Sequence, residues 1–315
     1  MDVNAKWYKL DDQKPGIQLI TSLLIITLWG TLFFYLFAFI GTLIFNTSMS
    51  DMLVIPPSNA DSWQTSVLKY IQISQHIALF IMPGIIISIL FKTKGESFFK
   101  IDRVPEAFNM LMVIMLALMI IPVNMYTGML NSRMNFPDWF SGLETWMREK
   151  EDTASDLTVL LVKSSDPPDL LINIFILAVV PSIAEEMIFR GVLQRLLCKI
   201  FKSDNWGIWI TAILFSAIHL QFFGFLPRLI LGLCFGYLFF WSGNLWLPVL
   251  AHFVNNFVPV VMSYFPGWSD LNEKTAESTN KQMTMPMIAF ILSIVILYYF
   301  WSEYRKSLVK SVGNP

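Results

Sequence analysis

What is scarce in this 315-residue chain sets its class. Charged residues make up only 14% of it, against about 25% in soluble domains, while hydrophobic residues reach 55%. With a mean hydropathy of +0.57, such a chain belongs in a bilayer. Cysteine is nearly absent. Cys198 and Cys234 fall in apolar stretches, are too few for a disulfide framework and lack metal-site spacing, so they read as buried thiols. The net charge of -1, with no basic tract, argues against nucleic acid as the main partner. There is no internal repeat, no low-complexity tract and no soluble domain. A cleavable signal peptide is missing too. Sixteen mostly polar residues precede an apolar run from Ile17 to Phe45, which is too long for a signal core and reads as a signal-anchor helix. The G-x-S-x-G nucleophile motif is absent, and neither cysteine sits in a Cys/His pairing.

What is present is a series of long apolar runs, near 17–45, 67–91, 107–130, 169–198, 206–223, 225–242, 245–262 and 285–302. They predict an all-α, polytopic membrane protein: one integral membrane domain over 1–315, with about eight transmembrane helices enclosing an intramembrane site. With the N-terminus in the cytoplasm, 14 of the 22 Lys and Arg residues fall on inner segments and eight on longer outer ones. The positive-inside rule therefore places both termini in the cytoplasm, with the plasma (inner) membrane as the location. Trp206, Trp246 and Trp301 fall near the interfaces, as an aromatic belt would place them. The loops 131–168 and 263–284 then face outside, the first with enough charge and tryptophan for a short surface helix.

Against this background a few polar residues stand out. Glu185 and Glu186 are adjacent within an apolar run, and an ionised carboxylate at that depth costs about 2.5–3.5 kcal/mol on insertion scales. His219, His252 and Asn256 lie on the next hydrophobic segments. Measured from the inner flank, Glu185 and His219 are both roughly 20 Å deep, and His252 and Asn256 roughly 10 and 16 Å, so the four can converge. Glu186 and Arg190 are four apart, in the order that favours an ion pair along one helix face. Glu185 points about 100° away from Glu186, leaving the two acids free for different partners. Phe215, one turn before His219, can pack beneath its ring. His76, the remaining histidine, reads as a structural residue bonded to a backbone carbonyl of a neighbouring helix. Arg228 reads as a snorkelling side chain at the outer interface.

Two chemistries fit an acid with two histidines. Glu185, His219 and His252 can hold Zn²⁺ with one position open for water. Alternatively, Glu185 and His219 activate water directly, while His252 and Asn256 donate to the oxyanion. Both hydrolyse a peptide bond without a covalent intermediate. A proton- or ion-coupled transporter is a further reading, since intramembrane Glu and His also form relays, but no inverted repeat supports it.

E-E-x-x-x-R at Glu185–Arg190, F-x-x-x-H at Phe215–His219 and H-x-x-x-N at His252–Asn256, in that order, resemble the CPBP family. That family, also called Abi, comprises type II CAAX-prenyl proteases and bacteriocin-processing enzymes. The three motifs mark 169–262 as catalytic core helices. The resemblance implies an intramembrane endopeptidase, labelled a metalloprotease, with its site open toward the cytosol; the plain eight-helix chain without organellar targeting reads as prokaryotic. Its substrate would be a membrane-associated, prenylated or otherwise hydrophobic peptide or protein. On this chain Glu185 and His219 would activate the water, and His252 and Asn256 would stabilise the oxyanion. Glu186 belongs to the same catalytic set, and Glu186 with Arg190 would support the site. The family also implies an alternative, a non-proteolytic scaffold or immunity protein of the same fold.

Overall fold

The computed structural model describes residues 13–57, 59–91, 97–164, 166–265 and 283–312, and no strand occurs among them. Helix α1 (Pro15–Phe45) opens on a proline, whose fixed φ suits a first helical position, and ends at Asn46 in the left-handed region. A short α2 (Met49–Leu53) follows. Helix α3 (Ser62–Leu90) starts from a capping box in which Asp61 and Gln64 satisfy each other's backbone N–H groups. After α4 (Ala107–Ser132), the loop 131–168 folds into α5 (Ser141–Val162), a surface helix that buries Met147, Leu160 and Leu161. Helix α6 (Pro167–Phe201) is capped by Asp166 and is the longest, at 35 residues. It leads to α7 (Asp204–Ala217), α8 (Phe225–Ser242), α9 (Trp246–Ser263) and α10 (Thr284–Val312).

Among the described residues, seven helices are long and apolar enough to cross a membrane, so this is a multi-pass membrane protein. The run near 206–223 is the exception to the expected eight. Its helix, α7, has 14 residues and is about 21 Å long, short of a hydrocarbon layer of about 30 Å. The chain leaves helical geometry at Ile218 and turns at Leu220, whose φ of 53° is left-handed and costs a non-glycine residue about 1–2 kcal/mol. Residues 206–223 are thus half of a hairpin with α8. The second outer loop of the sequence reading, 263–284, lies outside the described residues except at its two ends.

The bundle has two distinct ends. At the α5 end, Asn131 Nδ2 donates to the Phe222 carbonyl (3.2 Å), Lys69 pairs with Asp169, and the Ser263 hydroxyl donates to the Val162 carbonyl (3.3 Å). At the opposite end, Asn244 Nδ2 donates to the Arg103 carbonyl (2.7 Å) and Trp246 Nε1 to the Ile101 carbonyl (3.2 Å). Small residues let α8 approach its neighbours. A Cβ on Gly232 would stand 3.0 Å from the Ala212 Cα, and one on Gly236 would stand 2.8 Å from the Ile208 side chain. This is the close approach that small-xxx-small pairs permit between membrane helices. Leu28 and Leu43 on α1, 66% and 69% exposed, face where lipid would lie.

Candidate active site

The site is built where two helices lose their regular ladder. Pro83 in α3 and Pro181 in α6 have no N–H, so each denies a donor to the carbonyl four residues back. A π turn precedes each proline, at Ile77–Ile81 and Phe175–Val179, and a second one follows the glutamates at Phe189–Gln194. Such turns are frequent at functional sites because they re-aim side chains. Leu177, the residue four before Pro181, has its carbonyl satisfied from another helix: Asn256 Nδ2 donates to it at 3.2 Å.

The two glutamates face different surroundings. Glu186 and Arg190 are completely buried. Glu186 Oε1 accepts from Arg190 Nη1 (2.8 Å) and from His252 Nδ1 (2.9 Å). Arg190 Nη2 also donates to the Gly232 carbonyl (3.1 Å), and its guanidinium lies over the Phe215 and Phe235 rings at 4.7 and 5.4 Å. A desolvated cation–π contact of this kind contributes about 2 kcal/mol. One turn on, Gln194 Nε2 donates to the Gly236 carbonyl (2.9 Å). Together these contacts join α6, α8 and α9.

Glu185 instead lines a cavity of about 530 Å³, together with His76, His219, Asn256, Gln72 and Gln221. Its Oε1 lies 3.3 Å from His76 Nε2 and its Oε2 4.0 Å from His252 Nε2. That Oε2 is buried and has no hydrogen-bond partner in the structure. His219 Nδ1 donates to the Phe215 carbonyl (2.8 Å), which fixes the ring and leaves Nε2 as the bare acceptor of the neutral imidazole. Phe215 packs against both histidine rings, 5.3 Å from His219 and 6.0 Å from His252, as its spacing suggested for His219.

Two readings of single residues need correction. His76 does bond a backbone carbonyl, but it is that of Gln72 in its own helix (2.9 Å), and its other nitrogen faces Glu185. A carbonyl only accepts, so Nδ1 carries a proton, and a neutral ring would set a bare Nε2 against a carboxylate oxygen. Two acceptors attract only if the pair holds one further proton, on His76 or on Glu185. Arg228 does not snorkel freely either. It donates to the carbonyl and side-chain oxygens of Gln221 and so braces the turn that follows His219. The signal for His76 was present in the sequence as a polar cluster, Gln72, Ser74, Gln75 and His76, within an apolar run.

The zinc arrangement fits poorly. Among the described residues, no three His, Cys, Asp or Glu groups stand close enough together to hold one ion. Glu185 and His219 line one cavity, and His252 Nε2 comes only within 4.0 Å of Glu185, so the steps below are written through the protein's own groups.

Residues 167–258, from the start of α6 to beyond Asn256, match the family model for type II CAAX prenyl endopeptidases, Rce1-like. This Rce1-like stretch covers 92 of the 315 residues. It holds all seven motif residues: Glu185, Glu186, Arg190, Phe215, His219, His252 and Asn256. His76 lies outside it. A relative from Bacillus subtilis (strain 168), the uncharacterized protein YpbD, is 31% identical over 86 residues, which are 26% of this chain and 41% of that protein. The chain thus matches less than half the length of this curated relative. No solved structure matches it.

Proposed function

We propose that the Rce1-like core hydrolyses a peptide bond of a membrane-associated substrate with water activated by Glu185. The observation that carries this is that Glu185, unlike Glu186, lines a cavity shared with His219 and Asn256, with its Oε2 unpartnered. A water held between Glu185 and His219 Nε2 attacks the scissile carbonyl, and its proton passes to Glu185. The developing oxyanion meets the second N–H of Asn256, whose first is taken by Leu177. With its Nδ1 proton donated to Glu186, His252 can donate to it from Nε2 only as imidazolium. When the C–N bond breaks, the leaving nitrogen takes a proton from the Glu185–His76 pair. His76 thus serves as a positioning residue for Glu185 and as its proton store.

The test uses purified protein in detergent and a library of internally quenched hydrophobic peptides, read by fluorescence and mass spectrometry. Glu185→Ala and His219→Ala should each lower turnover by at least about a hundredfold, the range of general acid–base catalysis, while the protein stays folded. His76→Gln should lower kcat more than it changes KM and should shift the pH–rate profile. A chelator should leave turnover unchanged. Full turnover in both Glu185→Ala and His219→Ala would overturn the reading and leave the non-proteolytic scaffold.

A further inference from the structure

The cavity that holds Glu185 has a definite direction. On α6 and α9 its lining beyond the acid runs toward one end, while on α3 it extends to both sides of His76, from Gln72 to Phe80. On α6 it takes in Leu177 and Pro181, which precede Glu185, and not the fully buried Glu186 and Arg190 that follow. On α9 it continues past Asn256 to Pro259 and Val260, near the last turn. Its roof is the second half of α5, from Ala154 to Val162, and its rim includes Ile218, which is 49% exposed. The cavity therefore opens under α5, at the end of the bundle that also holds Asp61, Pro167 and Ser263. Toward the opposite end Glu186, Arg190, Phe215 and Phe235 group around the ion pair and do not line this cavity. A separate apolar cavity of about 320 Å³ lies on that side between Val104, Trp246, Ser182 and Ile183.

The positive charges say which end this is. By sequence 14 of the 22 Lys and Arg residues belong to inner segments. Among the described residues, Arg190 proves to be a core residue and eight others, including Lys100, Arg103, Lys199 and Lys202, lie in or beside the segments opposite α5. Those connections are short. Six described ones, Lys69, Arg133, Arg148, Lys150, Lys163 and Arg228, fall at the α5 end, where the segments are longer. By the positive-inside rule, the α5 end is extracytoplasmic.

We infer that substrate reaches Glu185 from the extracytoplasmic face, beneath α5. The substrate class is then a polypeptide segment displayed on that face, such as an exported peptide or the outer flank of a membrane protein. A modified tail at the cytosolic surface would meet the ion-pair end, away from this cavity. This reverses the cytosol-facing site that the family resemblance implies. The inference rests on the hydrolytic reading for what happens to the segment, but not for where it enters.

The experiment places single cysteines in a Cys198→Ala, Cys234→Ala background. Thr158→Cys marks the roof of the cavity, and Lys202→Cys marks the opposite end. A membrane-impermeant maleimide is added to intact cells and, separately, to permeabilised cells. Thr158→Cys should react in both, Lys202→Cys only after permeabilisation, and labelling at Thr158→Cys should block cleavage of the peptide library by at least tenfold. The reverse labelling pattern would overturn the inference, as would unchanged turnover with a fully labelled Thr158→Cys. Labelling of the unreactive Glu185→Gln background reads access without catalysis. Outer-face labelling with no cleavage by any variant would therefore count against proteolysis alone.

Discussion

Helix α6 sets two neighbouring carboxylates in two unlike regions. From Glu186 to Gln194, buried polar groups bond across to α8 and α9, aromatic rings cover the cation, and glycines bring the partner carbonyls close. Glu186 Oε2, Arg190 Nε and Gln194 Oε1 are buried there without a partner, but none of these residues lines the cavity beside Glu185. From Leu177 to Glu185, the same helix borders that cavity of about 530 Å³, its ladder is broken by Pro181, and the unpartnered Glu185 Oε2 belongs to a residue that lines it. A buried charge whose neighbours are fixed and bonded holds helices together. One with a free lone pair beside an open volume is placed to act on something that enters it.

The largest effect on stability should come from opening the bonded region. Arg190→Met leaves Glu186 as a buried, half-paired acid and should cost about 3–5 kcal/mol in unfolding measured in detergent. Adding Glu186→Gln to it should recover part of that loss, because no uncompensated charge then remains. Gly232→Leu attacks the same region through packing: with a Cβ already 3.0 Å from Ala212, it should cost about 1–3 kcal/mol and lower the unfolding midpoint. In the cavity region the effect shifts from stability to chemistry. Glu185→Gln keeps the shape and should change stability by no more than about 1 kcal/mol, the value of one ordinary hydrogen bond.

The smallest effect lies outside the membrane, at the start of α5. Glu144 accepts from the Phe136 N–H (2.9 Å) and then from Arg148, and these contacts hold its carboxyl below the usual carboxylate range. Its support for α5 is thus complete above a pH of about 4.5 and fades as pH falls through the lowered value. The protection factor of the Phe136 amide, its exchange relative to the intrinsic rate at the same pH, should fall over that acidic interval, and in Glu144→Gln it should lose this pH dependence.

Much of this contrast could be read from residue order. The four-residue step from Glu186 to Arg190 gives the ion pair directly, and the 100° offset of Glu185 separates it from that pair. The Phe215–His219 contact likewise follows from one helical turn. The shortness of α7 was not legible, because apolar residues continue through Ile218 and Leu220 into the turn, and hydropathy cannot register a left-handed φ. The polar cluster on α3 marks the position of His76, but its role depends on its approach to Glu185 across 109 positions of sequence, which that cluster does not specify. The direction of the cavity was hidden for a related reason. It depends on α5, a helix of the loop 131–168, folding back over the mouth of the site.

The central claim is that Glu185 does the chemistry while Glu186 holds the fold. Its most direct test is to measure turnover of the quenched peptide library and the unfolding midpoint on the same sample of Glu185→Gln, beside the unaltered protein. The account predicts that turnover falls at least a hundredfold while the midpoint stays within the range expected for one hydrogen bond. Turnover at the unaltered rate, or a loss of turnover matched by unfolding, would contradict it.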